Sequence, residues 1–367
     1  MKNNFDAVVV GAGVFGAWTA LHLRRSGRRV ALVDTYGAGN SRSSSGGESR
    51  ILRMGYGTDE IYTRWAMRSR ELWLELLGQI GKPELFQNTG VLWTPPPGHP
   101  RAVSMQAAFE NCGVAFQSLT ASELERSYPQ LRFRDERIGL YESQAGVILA
   151  RRAVQAVVAQ AIREGVEYSE NAALARDRSN TMVYACGPWL PKIFPEILDG
   201  RIRVTRQEVF FFGTPAGDRR FAPPHMPAWT DITDEHGAYT IPDLENRGFK
   251  LAFDRHGDEF DPDTGDRVAL GLDAARAFLA ERFPALATAP LVESRVCQYE
   301  NTSTGDFLID RHPKLDNVWL VGGGSGHGFK HGPAVGEHAC ALIEGRAAVQ
   351  PRFSLQTKAR THHRSVF

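Results

Sequence analysis

The chain is poor in cysteine: among 367 residues there are four, at 112, 186, 297 and 340. No two stand in a CxxC spacing, which argues against structural zinc and a disulfide framework and fits a reducing compartment. It also lacks an excess of either charge. Lys and Arg number 43 against 42 Asp and Glu, a formal net charge of +1, so no strong field draws nucleic acid or an anionic membrane, and selectivity has to come from a local site. No run of about 18 apolar residues occurs, so no membrane-spanning helix is expected. The opening MKNNFD enters a strand-like run without the apolar core of a signal peptide, and the expected location is cytoplasmic. Internal repeats and low-complexity tracts are missing too. Hydrophobic residues at 42% and charged residues at 23% describe an ordinary folded chain. The basic run Lys358 to Arg364 reads as a solvated tail.

What is present is a sequence of alternating elements. FDAVVVGAGVFGAWTALHLRRSGRRVALVD, from residue 5, holds an apolar run, a glycine turn, an amphipathic helix and a second apolar run, a βαβ unit. Helical spacing puts Val14, Ala17, Trp18, Leu21 and Leu23 on an inward stripe, with Arg24, Arg25 and Arg28 at the solvated end. TRWAMRSRELWLELLGQIG reads as a further helix, TPPPGHP as a break, 150–165 as a helix and TMVYACGPW as a buried strand ending in a turn. From RQEVFFFG onward the pattern turns β-rich and turn-punctuated, which predicts a mainly antiparallel sheet. NVWLVGGGSGHGFKHGPAVGEHACALIEG then returns to strand, glycine turn and helix, so the nucleotide-type elements bracket the rest. DPDTGD has a faint calcium-loop look and reads as a solvated turn, and no metal site is indicated.

Three constellations carry chemistry. Gly11, Gly13 and Gly16 form GxGxxG around Val14 and Phe15, between strand and helix, with Asp34 closing the second strand. In this context the motif binds a dinucleotide: the backbone can approach a pyrophosphate at the helix N-terminus, and an acidic residue can accept from ribose hydroxyls. It does not separate FAD from NAD. Arg50 and Arg53 flank the small-residue segment SSSGGE, where guanidinium groups suit capture of a carboxylate. Gly323, Gly324, Gly326 and Gly328 leave room for a flat ligand ahead of a helix whose positive end would favour negative charge on it.

These motifs, with RQEVFFF, GAYTIP, GFKLAFDRHGDEFDPDT, VCQYENTSTGDFLIDRHP and GSGHGFKHGPAVGE in this order, resemble the FAD-dependent amine-oxidising family that includes monomeric sarcosine oxidase and N-methyltryptophan oxidase. The resemblance runs to about residue 345. It implies an α/β fold with a discontinuous Rossmann-like FAD-binding domain (1–85, 141–205 and 295–350), a substrate domain with a mainly antiparallel sheet and helices (86–140 and 206–294) and a tail (351–367). It implies FAD carried on Cys297 through a thioether, with Tyr299 two positions on, since a thiolate is the reactive form. Ser44, Ser45, Arg50, His327, Phe329 and Lys330 join the glycines as cofactor neighbours. Arg53, Lys330 and Tyr239 match the substrate-anchoring positions, and Lys250, with Arg50, the cations that promote oxygen reduction. The implied reaction oxidises a C–N bond of an amino-acid-like amine to an imine and reduces O2 to H2O2, in a monomer or small homo-oligomer.

The sequence departs from the family at three places. Asp254 stands where sarcosine-oxidising members have a histidine, and an aspartate there would pair with a substrate ammonium or extra cation and repel a nearby carboxylate. Gly46 likewise replaces a histidine. The segment 171–180 is short where relatives have a further strand pair. Three alternatives remain open at this point: a flavin dehydrogenase passing electrons to a quinone or carrier protein, an FAD-binding subunit altered in catalysis, and a NAD-dependent dehydrogenase. The last leaves Cys297 and the C-terminal glycines unexplained.

Overall fold

The computed structural model describes residues 5–171, 180–231 and 237–361. Its first layer starts with strand β1 (Ala7–Val10), helix α1 (Val14–Arg25) and strand β2 (Val30–Val33). The strands are short and apolar because a parallel sheet is covered on both faces. β1 pairs in parallel with β2 on one side and with Met182–Tyr184 on the other. The complete order of this six-stranded sheet is 308–311, 318–322, 182–184, β1, β2, 167–169, with only the 308–311 edge antiparallel. Val14, Ala17, Trp18, Leu21 and Leu23 are all buried, as their spacing requires. Helix Gly332–Ile343 crosses α1 so closely that a Cβ on Gly336 would lie 2.6 Å from the Trp18 backbone.

The second layer is an eight-stranded sheet in the order 291–302, 202–212, 249–253, 238–241, 228–230, 91–93, 139–142, 117–119. It is antiparallel except where Ala228–Thr230 runs parallel to Val91–Trp93. Aromatic side chains fill the space beneath it, Phe210, Phe212, Phe221, Phe249, Phe283 and Trp229 among them. The expected domain seams at 205/206 and 294/295 fall inside two of its strands, Ile202–Phe212 and Leu291–Thr302, which pair along almost their full length. A further three-stranded sheet is formed by 50–52, 146–148 and 86–87.

Of the basic run Lys358 to Arg364, Ala359, Arg360 and Thr361 are exposed as expected, but Lys358 is not. Phe353 and Lys358 are fully buried. Arg352 pairs with Asp59 and with Asp306, each at 2.6 Å, and Tyr62 donates to the same Asp306 carboxylate at 2.8 Å. The apolar Phe353 anchors the segment among Tyr62, Trp65 and Phe307, and the lysine follows it inward. The remainder, 362–364, and the shortened segment between Asn171 and Asn180 lie outside the described residues.

Candidate active site

A long cavity opens at the carboxyl ends of β1, β2 and Met182–Tyr184, where ligands of open α/β sheets bind. Gly11 has φ of +102°, and a Cβ there would lie 2.4 Å from the Ala185 carbonyl oxygen. A Cβ on Gly16 would lie 1.8 Å from the Gly11 carbonyl oxygen. Over Gly13 only the Ser45 hydroxyl comes near, at 3.4 Å, which leaves the approach to the helix start open. Gly13 at that start has no side chain to cap the helix, and first-turn N–H groups left unpaired attract an anion. Ser45 accepts from the Val14 N–H at 3.0 Å and fixes the turn. Asp34 accepts from the Ala12 and Tyr36 N–H groups at 2.7 and 2.8 Å, so its carboxylate holds the glycine turn as well as facing the cavity.

Beyond Asp34 the cavity is walled by Tyr36 and Trp189, whose rings lie 5.7 Å apart. Trp189 donates to Asp263 at 2.7 Å, and Lys192 pairs with Asp261 and Asp263. The DPDTGD turn is solvated, with Asp261, Asp263, Thr264 and Asp266 exposed, and Asp263 also lines the cavity. Sequence reasoning missed Glu300, which also lines it. This carboxyl is 7% exposed, accepts from the Gly324 N–H at 3.3 Å, and has no partner for Oε2 among the described residues. Burial pushes its pKa up to about 7, so at neutral pH it can donate to a ligand oxygen. The helix start, the open ground over Gly13 and this unsatisfied carboxyl fit a dinucleotide.

At its other end the cavity is bounded by Arg50, Tyr299, Gly326 and Phe329, and these four residues also line a second cavity. Cys297 lies beside the long cavity, in a side pocket with Arg50 and Lys250. Its sulfur accepts from Arg50 Nη2 at 3.4 Å. Burial alone would weaken the hold of Arg50 on its proton, but Cys297, Tyr239 and Tyr299 reverse this and keep it above its ordinary range. Lys250 is 1% exposed and donates to the Ser49 carbonyl at 2.8 Å. Burial, then Arg50, drives its pKa well down.

The second cavity brings together Arg53, Tyr239, Asp254 and Lys330, which come from four separate segments. Arg53 lies between the rings of Tyr56 and Trp93, 4.8 Å from each, and donates to the Gly55 carbonyl. Behind it the fully buried Glu142 accepts from the Met54 N–H at 2.7 Å, the Gly55 N–H at 3.2 Å and Trp93 Nε1 at 2.7 Å. It thus fixes the groups that hold Arg53. Burial pushes the Tyr239 hydroxyl up to about 12, and Tyr299 is its hydrogen-bonding neighbour.

Ser44, Ser45, Val14, Phe15, Gly324 and Gly328 line the long cavity with Gly11 and Gly13. His327 and Lys330 line the second cavity instead. Gly16 and Gly323 shape turns, Gly323 with φ of +67°. Trp93, Arg101, Asp231 and Glu142 went unread in the sequence. Only the apolar strand GLYE, ending on a carboxylate, carried a signal for the last of these.

A family model described as FAD dependent oxidoreductase matches residues 6–342. The chain belongs to this family. It is 30% identical over 360 residues to the peroxisomal sarcosine oxidase of Homo sapiens, covering 92% of this chain and 91% of that one. It is 29% identical over 366 residues to the monomeric sarcosine oxidase of Bacillus sp. (strain NS-129), covering 93% of each. In fold it is similar to the L-proline dehydrogenase of P. horikoshii, with a TM-score of 0.81 at 19% identity over 97% of this chain and 98% of that one. The long cavity offers this FAD-dependent oxidoreductase a space whose lining fits a dinucleotide. Among the described residues no helix is long and apolar enough to cross a membrane, and no cluster of His, Cys, Asp and Glu could hold a metal ion.

Proposed function

We propose that the protein is an oxidase of a small amino-acid-like amine, with FAD bound in the long cavity and linked to Cys297, O2 as acceptor and H2O2 as product. The observation that carries this reading is the meeting of the two cavities: Arg53, Lys330, Tyr239 and Asp254 surround a space that shares Arg50, Tyr299, Gly326 and Phe329 with the dinucleotide site. The likeness to sarcosine oxidases supports a C–N bond as the bond oxidised. FAD supplies the two-electron acceptor. The residues of the chain bind, orient and exclude water around it.

Arg53 and Lys330 form the carboxylate clamp, and the clamp sets which C–H of the substrate faces the shared wall. Trp93 and Phe329 exclude water, which strengthens every charge–charge interaction inside. Asp254 receives the amine or a further cationic group. Arg50 keeps its charge and is the fixed cation for negative charge that develops on O2. Lys250, held near the same wall and driven toward the neutral amine, accompanies it. The Arg50 guanidinium also lies 3.4 Å from the Cys297 sulfur, the atom of the proposed thioether link.

The deciding experiment is acid precipitation of the purified protein, alongside a screen of amines for peroxide release. Yellow colour retained in the pellet and lost in Cys297→Ser, with peroxide released stoichiometrically from an N-alkyl amino acid, is the expected result. Colour in the supernatant overturns the covalent link. Amine-dependent bleaching that proceeds only with a quinone or dye overturns O2 as acceptor, and no bleaching by any amine overturns the catalytic reading.

A further inference from the structure

Lys330 is 4% exposed and forms no ion pair among the described residues. Its Nζ donates to the Tyr56 hydroxyl at 2.8 Å and to the His327 carbonyl at 3.1 Å. Both partners are neutral oxygens, and the remaining tetrahedral position of Nζ is left for the second cavity, which Lys330 lines. The network continues behind it. The Tyr56 hydroxyl lies 3.1 Å from His327 Nδ1 and 2.7 Å from His331 Nε2, and His327 Nε2 lies 3.0 Å from the Gly305 carbonyl. A carbonyl only accepts, so His327 carries its proton on Nε2 and its Nδ1 accepts from Tyr56. The Tyr56 oxygen then accepts from Lys330 and from His331 Nε2–H, which leaves His331 Nδ1 as a lone pair, the atom that has no partner among the described residues. Both rings are then neutral, and Lys330 is held through two bonds to neutral oxygens.

The surroundings point the same way. Arg50, Arg53 and Arg101 are the cations of the same cavity, and Asp254 and Asp231 its carboxylates, with Tyr239 and Tyr299 on the remaining wall. Glu142 is committed to Met54, Gly55 and Trp93. Burial, and after it Arg53, pushes Lys330 well below the ordinary lysine range, with Asp254 and Glu142 opposing. Burial also keeps both histidines well below theirs.

We propose that Lys330 stands as a neutral amine in the resting site and accepts the ammonium proton of the incoming amino acid, with Tyr56, His327 and His331 as the positioning residues that hold it so. The inference rests on the carboxylate clamp described under the proposed function. An amino acid arrives from neutral water as a zwitterion, whereas oxidation of the C–N bond needs the lone pair on nitrogen. In the proposed step the N–H bond of the substrate ammonium breaks, its electron pair stays on the substrate nitrogen, and a new N–H bond forms on Nζ, directly or through one water. Nothing is oxidised or reduced. One transfer both frees the amine and charges the side chain that binds the carboxylate.

The test uses the flavin-loaded protein and acetate, a carboxylate with no ammonium to give. Acetate binding, read from the visible spectrum of the flavin, must draw its proton from solvent, so Kd is expected to rise about tenfold per pH unit from pH 7 to 9. In Lys330→Arg, whose guanidinium keeps its charge, Kd is expected to stay flat. For amine oxidation the same variant should lose kcat/KM about tenfold per unit as pH falls below the amine's own pKa, because no acceptor remains, while the parent enzyme falls less steeply. In Tyr56→Phe the break in the acetate profile should move to lower pH, since the ammonium loses an acceptor; a purely structural role for Tyr56 leaves the break in place and removes it from the chain. A flat Kd in the parent protein overturns the neutral lysine and leaves the clamp intact. A slope that persists in Lys330→Arg also overturns it, and failure of acetate to bind at all overturns clamp and proposal together.

Discussion

At the Asp34 end of the long cavity the surface offered to a ligand is main chain and small side chains: Gly11, Gly13, Val14, Ser45 and the start of α1. In the second cavity it is Arg53, Tyr239, Asp254 and Lys330, side chains from four segments. The first surface is set by local covalent geometry, so one short motif specifies it and a single added methyl group ruins it. The second is set by tertiary packing, so each member can be replaced without collapse and each tunes chemistry. Common features of a ligand are met by backbone, and distinguishing ones by side chains.

The largest expected effect lies at the backbone end. Gly16→Val would drive side-chain atoms into the Gly11 carbonyl, already 1.8 Å from a bare Cβ, and the purified protein should hold no flavin by its absorbance ratio. A flavin-loaded variant would break the distinction between the two ends. Next is Arg53→Met, which should retain flavin fully yet lose about a hundredfold to a thousandfold in kcat/KM, since truncating one partner of a buried charge pair costs about 2–5 kcal/mol. Glu300 sharpens the comparison, since it and Asp34 are ionisable side chains in the backbone end. Its pKa is raised from 4.5 to about 7 by burial, so the folded state binds more protons than the unfolded one between those values. Stability of the flavin-free protein should therefore fall as pH rises from 4.5 to 7, by on the order of 3 kcal/mol, and Glu300→Gln should abolish that fall in a Tm-versus-pH series. The smallest effect is expected from Asp254→Asn: about a tenfold change in the ranking of amines with and without an extra cationic group, seen as kcat/KM ratios.

Legibility in the sequence follows the same division. GxGxxG, Asp34 and the stripe Val14, Ala17, Trp18, Leu21 could be read from spacing, because helix periodicity and a tight turn are local properties. Asp34 was read only toward a ribose, yet both its oxygens are engaged by the turn itself. In the second cavity Arg50 and Arg53 were legible as carboxylate binders, and Tyr239, Asp254 and Lys330 through resemblance alone. Trp93 and Thr230 meet there because Val91–Trp93 pairs in parallel with Ala228–Thr230, a crossover no local pattern announces. Arg101 enters from the helix Pro100–Cys112, after the TPPPGHP break. Lys358 was misread because a run of basic residues says nothing about the Phe353 anchor that carries it inward.

The order of the six-stranded sheet has a consequence for biosynthesis. β1 is made first, but its neighbour Met182–Tyr184 comes far later, and the strand beyond that, Val318–Gly322, later still. Helix Gly332–Ile343, which packs on α1, and the segment around Phe353 follow after these. A nascent chain must therefore keep its glycine turn exposed and unsupported until Val318–Gly322 and Gly332–Ile343 have been made, and contacts of such sequence separation fold slowly. Interruption of synthesis anywhere before the last strand yields a chain that has the signature of a dinucleotide site without the walls of one, a substrate for chaperones and proteases rather than for flavin.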